Sequence, residues 1–145
     1  MKNIHWGEQK DLNELVHIDN ETIGSDHRRA EIEIAIKHQQ CLVCKMDGEA
    51  AAFLLFNRHF FDQVFISLVV VHPLHRNKGL ARALISAFEE EFSGEKIFSS
   101  TNQSNDIMHH LFYTMGYKKS GFVDNLDEGD PEIIYVKKGL GRHGL

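Results

Sequence analysis

One stretch constrains this chain more than any other. From Val64 to Val71 the sequence is almost wholly apolar, the pattern expected of a strand covered on both faces. His72-Pro73-Leu74-His75 interrupts it, and proline cannot continue a strand ladder. From Lys78 to Phe92, Leu80, Leu84, Phe88 and Phe92 recur every fourth residue, with Ala81 and Ile85 beside them, until Ser93-Gly94 ends the pattern. A buried strand therefore runs through a short loop into the N-terminus of an amphipathic helix.

That junction has its own chemistry. The first N–H groups of a helix lack internal partners and carry partial positive charge, which makes them a ready phosphate site. In Arg76-Asn77-Lys78-Gly79-Leu80-Ala81, Gly79 and Ala81 leave the backbone uncovered, while Arg76, Lys78 and Arg82 add full positive charge. The sequence has no G-x-x-x-x-G-K-[ST] and no G-x-G-x-x-G, so neither a P-loop NTPase nor the usual dinucleotide fingerprint is expected.

The rest of the chain supplies a sheet and its covering helices. Strands are expected at residues 2–6, at Leu42 to Met46, and at Ala50 to Phe56. Asp47-Gly48 between the last two is a hairpin signal, because both residues tolerate positive φ. Further strands are read from Phe60 to Val71, Lys96 to Ser99, Tyr117 to Val123 and Glu132 to Lys137. Helices are read from Asp11 to Ile18, His27 to Gln39, Lys78 to Phe92 and Asn105 to Met115, with Asn20 to Asp26 as a loop. This order predicts an α/β (α+β) fold: a mixed, mostly antiparallel central sheet of six to seven strands flanked by about four helices.

The 145 residues fit one domain, taken as residues 1–138, with 139–145 as a C-terminal tail. The net charge of −5 argues against a nucleic-acid or anionic-membrane surface. No apolar run is long enough to span a bilayer, and Met1 to Trp6 lacks the apolar stretch of a signal peptide. A cytoplasmic protein is expected. Cys41-Leu42-Val43-Cys44 sits in a strand-like run with no second pair, which reads as structural thiols. Ten histidines include His72, His75, His109 and His110, yet no metal-ligand spacing appears. Solvated or loop histidines, and no metal, are expected.

The segment Arg76-x-x-Gly79-x-Ala81, following Val69-Val70-Val71-His72-Pro73, resembles the R/Q-x-x-G-x-G/A motif of the GNAT superfamily of acyl-CoA N-acyltransferases. Asn105, and the Phe112-Tyr113-Thr114-Met115-Gly116-Tyr117 that ends the next helix, resemble the family's following elements. Order and spacing agree from about residue 40 to residue 137.

The resemblance implies a co-substrate, acetyl-CoA, and its contacts. The backbone of Val69, Val70 and Val71 would pair with the pantetheine arm. The amides from Arg76 through Asn77, Lys78, Gly79, Leu80 and Ala81, with Arg82, would hold the pyrophosphate, and Asn105 would touch the cofactor. It further implies direct transfer of the acetyl group to a primary amine of a small molecule or peptide, with a homodimer among the allowed assemblies.

Two departures from the family stand out. The tyrosine that protonates the thiolate lies four residues before the glycine, where this chain has Phe112, so Tyr113 is the candidate general acid. A strand glutamate found in some members is replaced by Phe65. The general base is unassigned among Glu21, His27 and a water chain, and the nearby Asp62, Gln63 and Ser67 do not stand out. The acceptor would lie near Asn20 to Arg29 and the acidic loop Asn125 to Glu132, whose four carboxylates can attract an ammonium group or form a solvated turn. The alternative is a catalytically silent GNAT-like domain that binds acyl-CoA as a regulatory or interaction module.

Overall fold

The structure, a computed structural model, describes residues 2–139. Residues 140–145 of the expected tail lie outside the described residues. The chain forms β1 (Lys2–Trp6), α1 (Leu12–Ile23), α2 (Arg29–Lys37), β2 (Cys41–Met46), β3 (Glu49–Phe60), β4 (Gln63–Val71), α3 (Leu80–Glu91), β5 (Ile97–Asn102), α4 (Asp106–Thr114), β6 (Lys118–Val123) and β7 (Glu132–Lys137). The strands make one seven-stranded sheet in the order β1-β2-β3-β4-β5-β7-β6. Pairing is antiparallel for β1–β2, β2–β3, β5–β7 and β6–β7, and parallel for β4–β5. The parallel pair follows from the connection, because β4 reaches β5 through α3. This is the mixed, mostly antiparallel sheet with four helices that the sequence predicts.

Within the described residues, contacts divide the chain into two compact units, 2–57 with 67–91, and 58–66 with 92–139. In the first, Leu12, Leu15, Val16 and Ile18 of α1 and Ile32, Ala35 and Ile36 of α2 pack on Cys41, Val43, Phe53, Leu55 and Val70. On β3 the alternate residue Phe56 turns the other way, against Phe88 of α3, with ring centroids 4.8 Å apart. Ala51 to Phe56 are therefore all buried. In the second unit Phe112 of α4 stacks on Tyr135 of β7 at 4.7 Å and lies 5.3 Å from Tyr117.

Several expectations are corrected. The strand buried on both faces is β3; along β4 only Val64, Ile66 and Val70 are buried, and Ser67 is exposed. The run Phe60 to Val71 is not one strand. Phe61 and Asp62, at φ 52° and 62°, make a turn between β3 and β4. Left-handed phenylalanine is uncommon, so composition hides this turn, whereas Asp47 and Gly48 adopt the expected left-handed pair. Helix α1 continues through Asn20 to Ile23, where Gly24 caps it at φ 78°.

Both cysteines are buried and free. Burial, with the Asp11 carboxylate as a lesser cause, pushes the Cys41 thiol up to about 12. Burial also raises the Cys44 thiol. Neither is poised as a thiolate.

Candidate functional site

In the first unit, β4 ends at Val71 and a 3₁₀ turn follows over Pro73–His75. The His72 N–H donates to the Ala51 carbonyl at 2.8 Å, the last such bond before the loop. His72 Nδ1 then accepts the Leu74 N–H at 3.0 Å, capping a 3₁₀ turn over Pro73–His75. Arg76 is extended, and Asn77 and Gly79 are left-handed at φ 64° and 74°. Backbone N–H groups in such turn conformations can form an anion-binding concavity.

Among the described residues, the N–H groups of Asn77, Lys78 and Gly79 donate to no backbone carbonyl. The first helical bond reaches back from the Ala83 N–H to the Gly79 carbonyl at 3.0 Å. The N–H groups of Leu80 and Ala81 thus open α3 without helical partners. A Cβ at Gly79 would meet nothing within 4 Å, so this glycine is required by its φ and not by crowding. Arg76, Asn77, Lys78 and Gly79 are exposed, and Lys78 Nζ lies 3.2 Å from His75 Nδ1.

Strand β4 offers a second feature. Its ladder with β5 covers only Val64, Phe65 and Ile66. Among the described residues, no β5 partner continues the pairing along Val69 to Val71, and that backbone edge can accept an extended ligand.

The second unit carries Asn105 and Tyr113. Asn105 caps α4: its Oδ1 accepts the Met108 N–H at 3.1 Å. The carbonyl half of this exposed amide is thereby engaged, leaving Nδ2 to donate. Helix α4 is regular through Thr114, so Phe112 and Tyr113 point in directions about 100° apart. Phe112 is 1% exposed and Tyr113 79% exposed.

The other histidines and carboxylates divide sharply. Burial raises the Tyr135 phenol, which keeps its proton and donates to His109 Nδ1. His109 Nε2 then donates to the carbonyls of Asn102 and Gln103 at 3.1 and 3.0 Å; this network assigns the tautomer. Three of the four carboxylates expected to attract an amine are bonded within the unit. Asp127 accepts from Asn102 Nδ2 at 2.8 Å, Asp130 from Ser104, and Glu132 from Ser100 Oγ at 2.7 Å.

The candidate bases are dispersed. Glu21 lies 3.7 Å from His17, and His27 pairs with Ser25. Ser67 donates to the Leu55 carbonyl at 3.3 Å, and Asp62 sits in the β3–β4 turn. Phe65 packs 5.2 Å from Phe60. No group of three His, Cys, Asp or Glu suited to a metal occurs among the described residues, and no described helix is long and apolar enough to cross a membrane.

Sequence reading missed the His109–Tyr135 and Asp130–Ser104 pairs, whose members lie 26 residues apart. No local pattern announces such partners.

Seven strands in this order, with a glycine loop between β4 and α3, have the architecture of an acetyltransferase. The sequence matches the acetyltransferase (GNAT) family over residues 8–117, and the chain belongs to that family.

Among solved structures, a GNAT-family acetyltransferase from Bacillus cereus is 43% identical, covering 97% of this chain and 99% of that one, with a TM-score of 0.90. The ribosomal-protein-S18-alanine N-acetyltransferase of Escherichia coli is 20% identical over 100% and 99% of the two chains, with a TM-score of 0.81. The Salmonella typhimurium protein yncA, solved with its cofactor acetyl-CoA, is 18% identical over 94% and 93%, with a TM-score of 0.76. At those identities the last two share the fold alone. No curated protein matches the sequence.

Proposed function

We propose that residues 1–138 are one N-acetyltransferase domain that moves an acetyl group from acetyl-CoA directly to a primary amine of a small molecule or peptide. The observation that carries this reading is the Arg76–Ala81 loop. Its exposed amides and left-handed Asn77 and Gly79 suit a pyrophosphate at the start of α3. Acetyl-CoA supplies an acetyl group already activated as a thioester.

The chain's own groups would then divide the work. Amides from Arg76 to Ala81, with the Arg82 cation, hold the pyrophosphate. The open edge of Val69, Val70 and Val71 aligns the pantetheine arm, and a strand N–H polarises the thioester carbonyl. Asn105 Nδ2 donates to an acceptor atom of the cofactor. Tyr113 is the candidate proton donor to the departing thiolate, since the other two tyrosines, Tyr117 and Tyr135, are buried. With Phe65 in place of a glutamate, the base that removes the amine proton is unassigned among Glu21, His27 and a water chain. A cytoplasmic enzyme working without a metal is the matching cellular reading, and a homodimer is its proposed assembly.

Replacing Gly79 by Glu puts bulk and negative charge at the pyrophosphate. Calorimetry should show CoA binding abolished in Gly79→Glu and retained in part by Gly79→Ala, which carries the same left-handed strain without the charge. Unchanged affinity in Gly79→Glu would sink the assignment.

Phe65 in place of a glutamate and the one-residue shift of Tyr113 favour the second reading, a silent acyl-CoA module. Free-thiol release from acetyl-CoA over a panel of amines separates the two. Tight CoA binding without turnover on any amine favours the module.

A further inference from the structure

The acidic loop after β6 is bonded to the start of α4, and the bonding is dense. Asp130 accepts the Ser104 N–H at 3.0 Å and the Ser104 Oγ–H at 2.6 Å through its two oxygens. Asp127 Oδ2 accepts from Asn102 Nδ2 at 2.8 Å, and the Asp130 carbonyl accepts from the same nitrogen at 3.4 Å. The Gln103 N–H donates to the Pro131 carbonyl at 2.8 Å. From the helix side, His109 Nε2 donates to the carbonyls of Asn102 and Gln103, while Tyr135 secures Nδ1. Every residue of the turn from Asn102 to Ser104 is therefore held, and Asn105 follows it directly, its own N–H bonded to the Asn102 carbonyl at 3.0 Å.

We infer that Asp130 is a positioning residue: it holds Ser104 and so fixes the Asn102–Asn105 turn that presents the Asn105 amide to the cofactor. The inference rests on the reading that Asn105 touches acetyl-CoA. It also changes the role of the loop. Asp127 and Asp130 tie the loop to the Asn102–Ser104 turn, while Glu132 accepts from Ser100 on β5. Among the described residues Glu128 is the one carboxylate of these four with no such bond. An exposed turn without these ties samples many conformers, and binding would then have to order it.

The test separates affinity for cofactor from affinity for amine. Asp130→Ala should raise the CoA dissociation constant and the KM for acetyl-CoA about tenfold, the worth of roughly one good hydrogen bond. The KM for the amine should stay within about twofold, a change too small to register a lost contact. Asp130→Asn should restore most of the affinity, because its Oδ1 still accepts the Ser104 N–H and its amide can donate to Ser104 Oγ. Ser104→Ala added to Asp130→Ala should cost little more than Asp130→Ala alone, since both remove one clamp. Glu128→Gln should leave CoA affinity unchanged.

If Asp130→Ala raises the KM for the amine and spares CoA, the loop is an acceptor surface and the inference fails. It fails as well if Asp130→Ala and Asp130→Asn lower only the melting temperature, with CoA affinity intact. Should Gly79→Glu also spare CoA binding, the fault lies with the cofactor assignment and not with the clamp.

Discussion

Two neighbouring residues on α4 show how a one-residue step decides a role. Phe112 occupies the position that carries an acid in the family resemblance, yet it is buried in a ring stack with Tyr117 and Tyr135. Tyr113 is next to it and faces solvent. If Tyr113 donates a proton to the thiolate, Tyr113→Phe should lower kcat about tenfold with the KM for acetyl-CoA unchanged. That is below the 10²–10⁴-fold usual for acid–base catalysis, because a thiol needs little help to leave near neutral pH. Steady-state kinetics at saturating amine decide it, and an unchanged kcat removes Tyr113 from the mechanism. Asn105 shows a related economy: one amide caps a helix through its oxygen, which leaves its nitrogen able to donate.

Elements owe their placement to pairs that no local pattern reveals. Arg28, just before α2, donates to both oxygens of Asp19 on α1 at 3.0 and 2.7 Å. Asp19 is 1% exposed, so this carboxylate depends on its partner. Arg28→Ala should lower the unfolding free energy by about 3 kcal/mol, because it strands a buried charge. Urea titration measures this, and a loss below about 1 kcal/mol would show a pair of the weak surface kind.

Helices α3 and α4 are legible in the sequence because an apolar stripe at the helical period needs only local residues to be read. The Asp47-Gly48 hairpin is legible for a similar reason, since those residue types accept the left-handed region cheaply. Phe61-Asp62 makes an equivalent turn from a residue that does not, next to Phe60, whose ring packs against Phe61, Phe65 and Phe98. In the acidic loop the charge is visible in the sequence, whereas the donors bonded to Asp127, Asp130 and Glu132 come from residues more than twenty positions away and are not.

For the whole molecule, a ligand that binds only the folded chain must stabilise it. CoA at a free concentration of 100 times its dissociation constant should add roughly 2.7 kcal/mol and raise the melting temperature by roughly 5–10 °C. Differential scanning fluorimetry reads the shift, and a flat response to CoA would contradict the proposed cofactor.

The sequence by itself determined the kind of protein this is. Strand, glycine loop and amphipathic helix are consecutive, so their chemistry and the family resemblance can be read along one stretch of chain. The tertiary structure alone decided what surrounds that stretch: which strand is buried on both faces, which direction Tyr113 takes, and which carboxylates are already engaged. Those outcomes depend on partners distant in the chain, such as Ser104 and Asp130 or Asp19 and Arg28, and only folding brings them within hydrogen-bond reach.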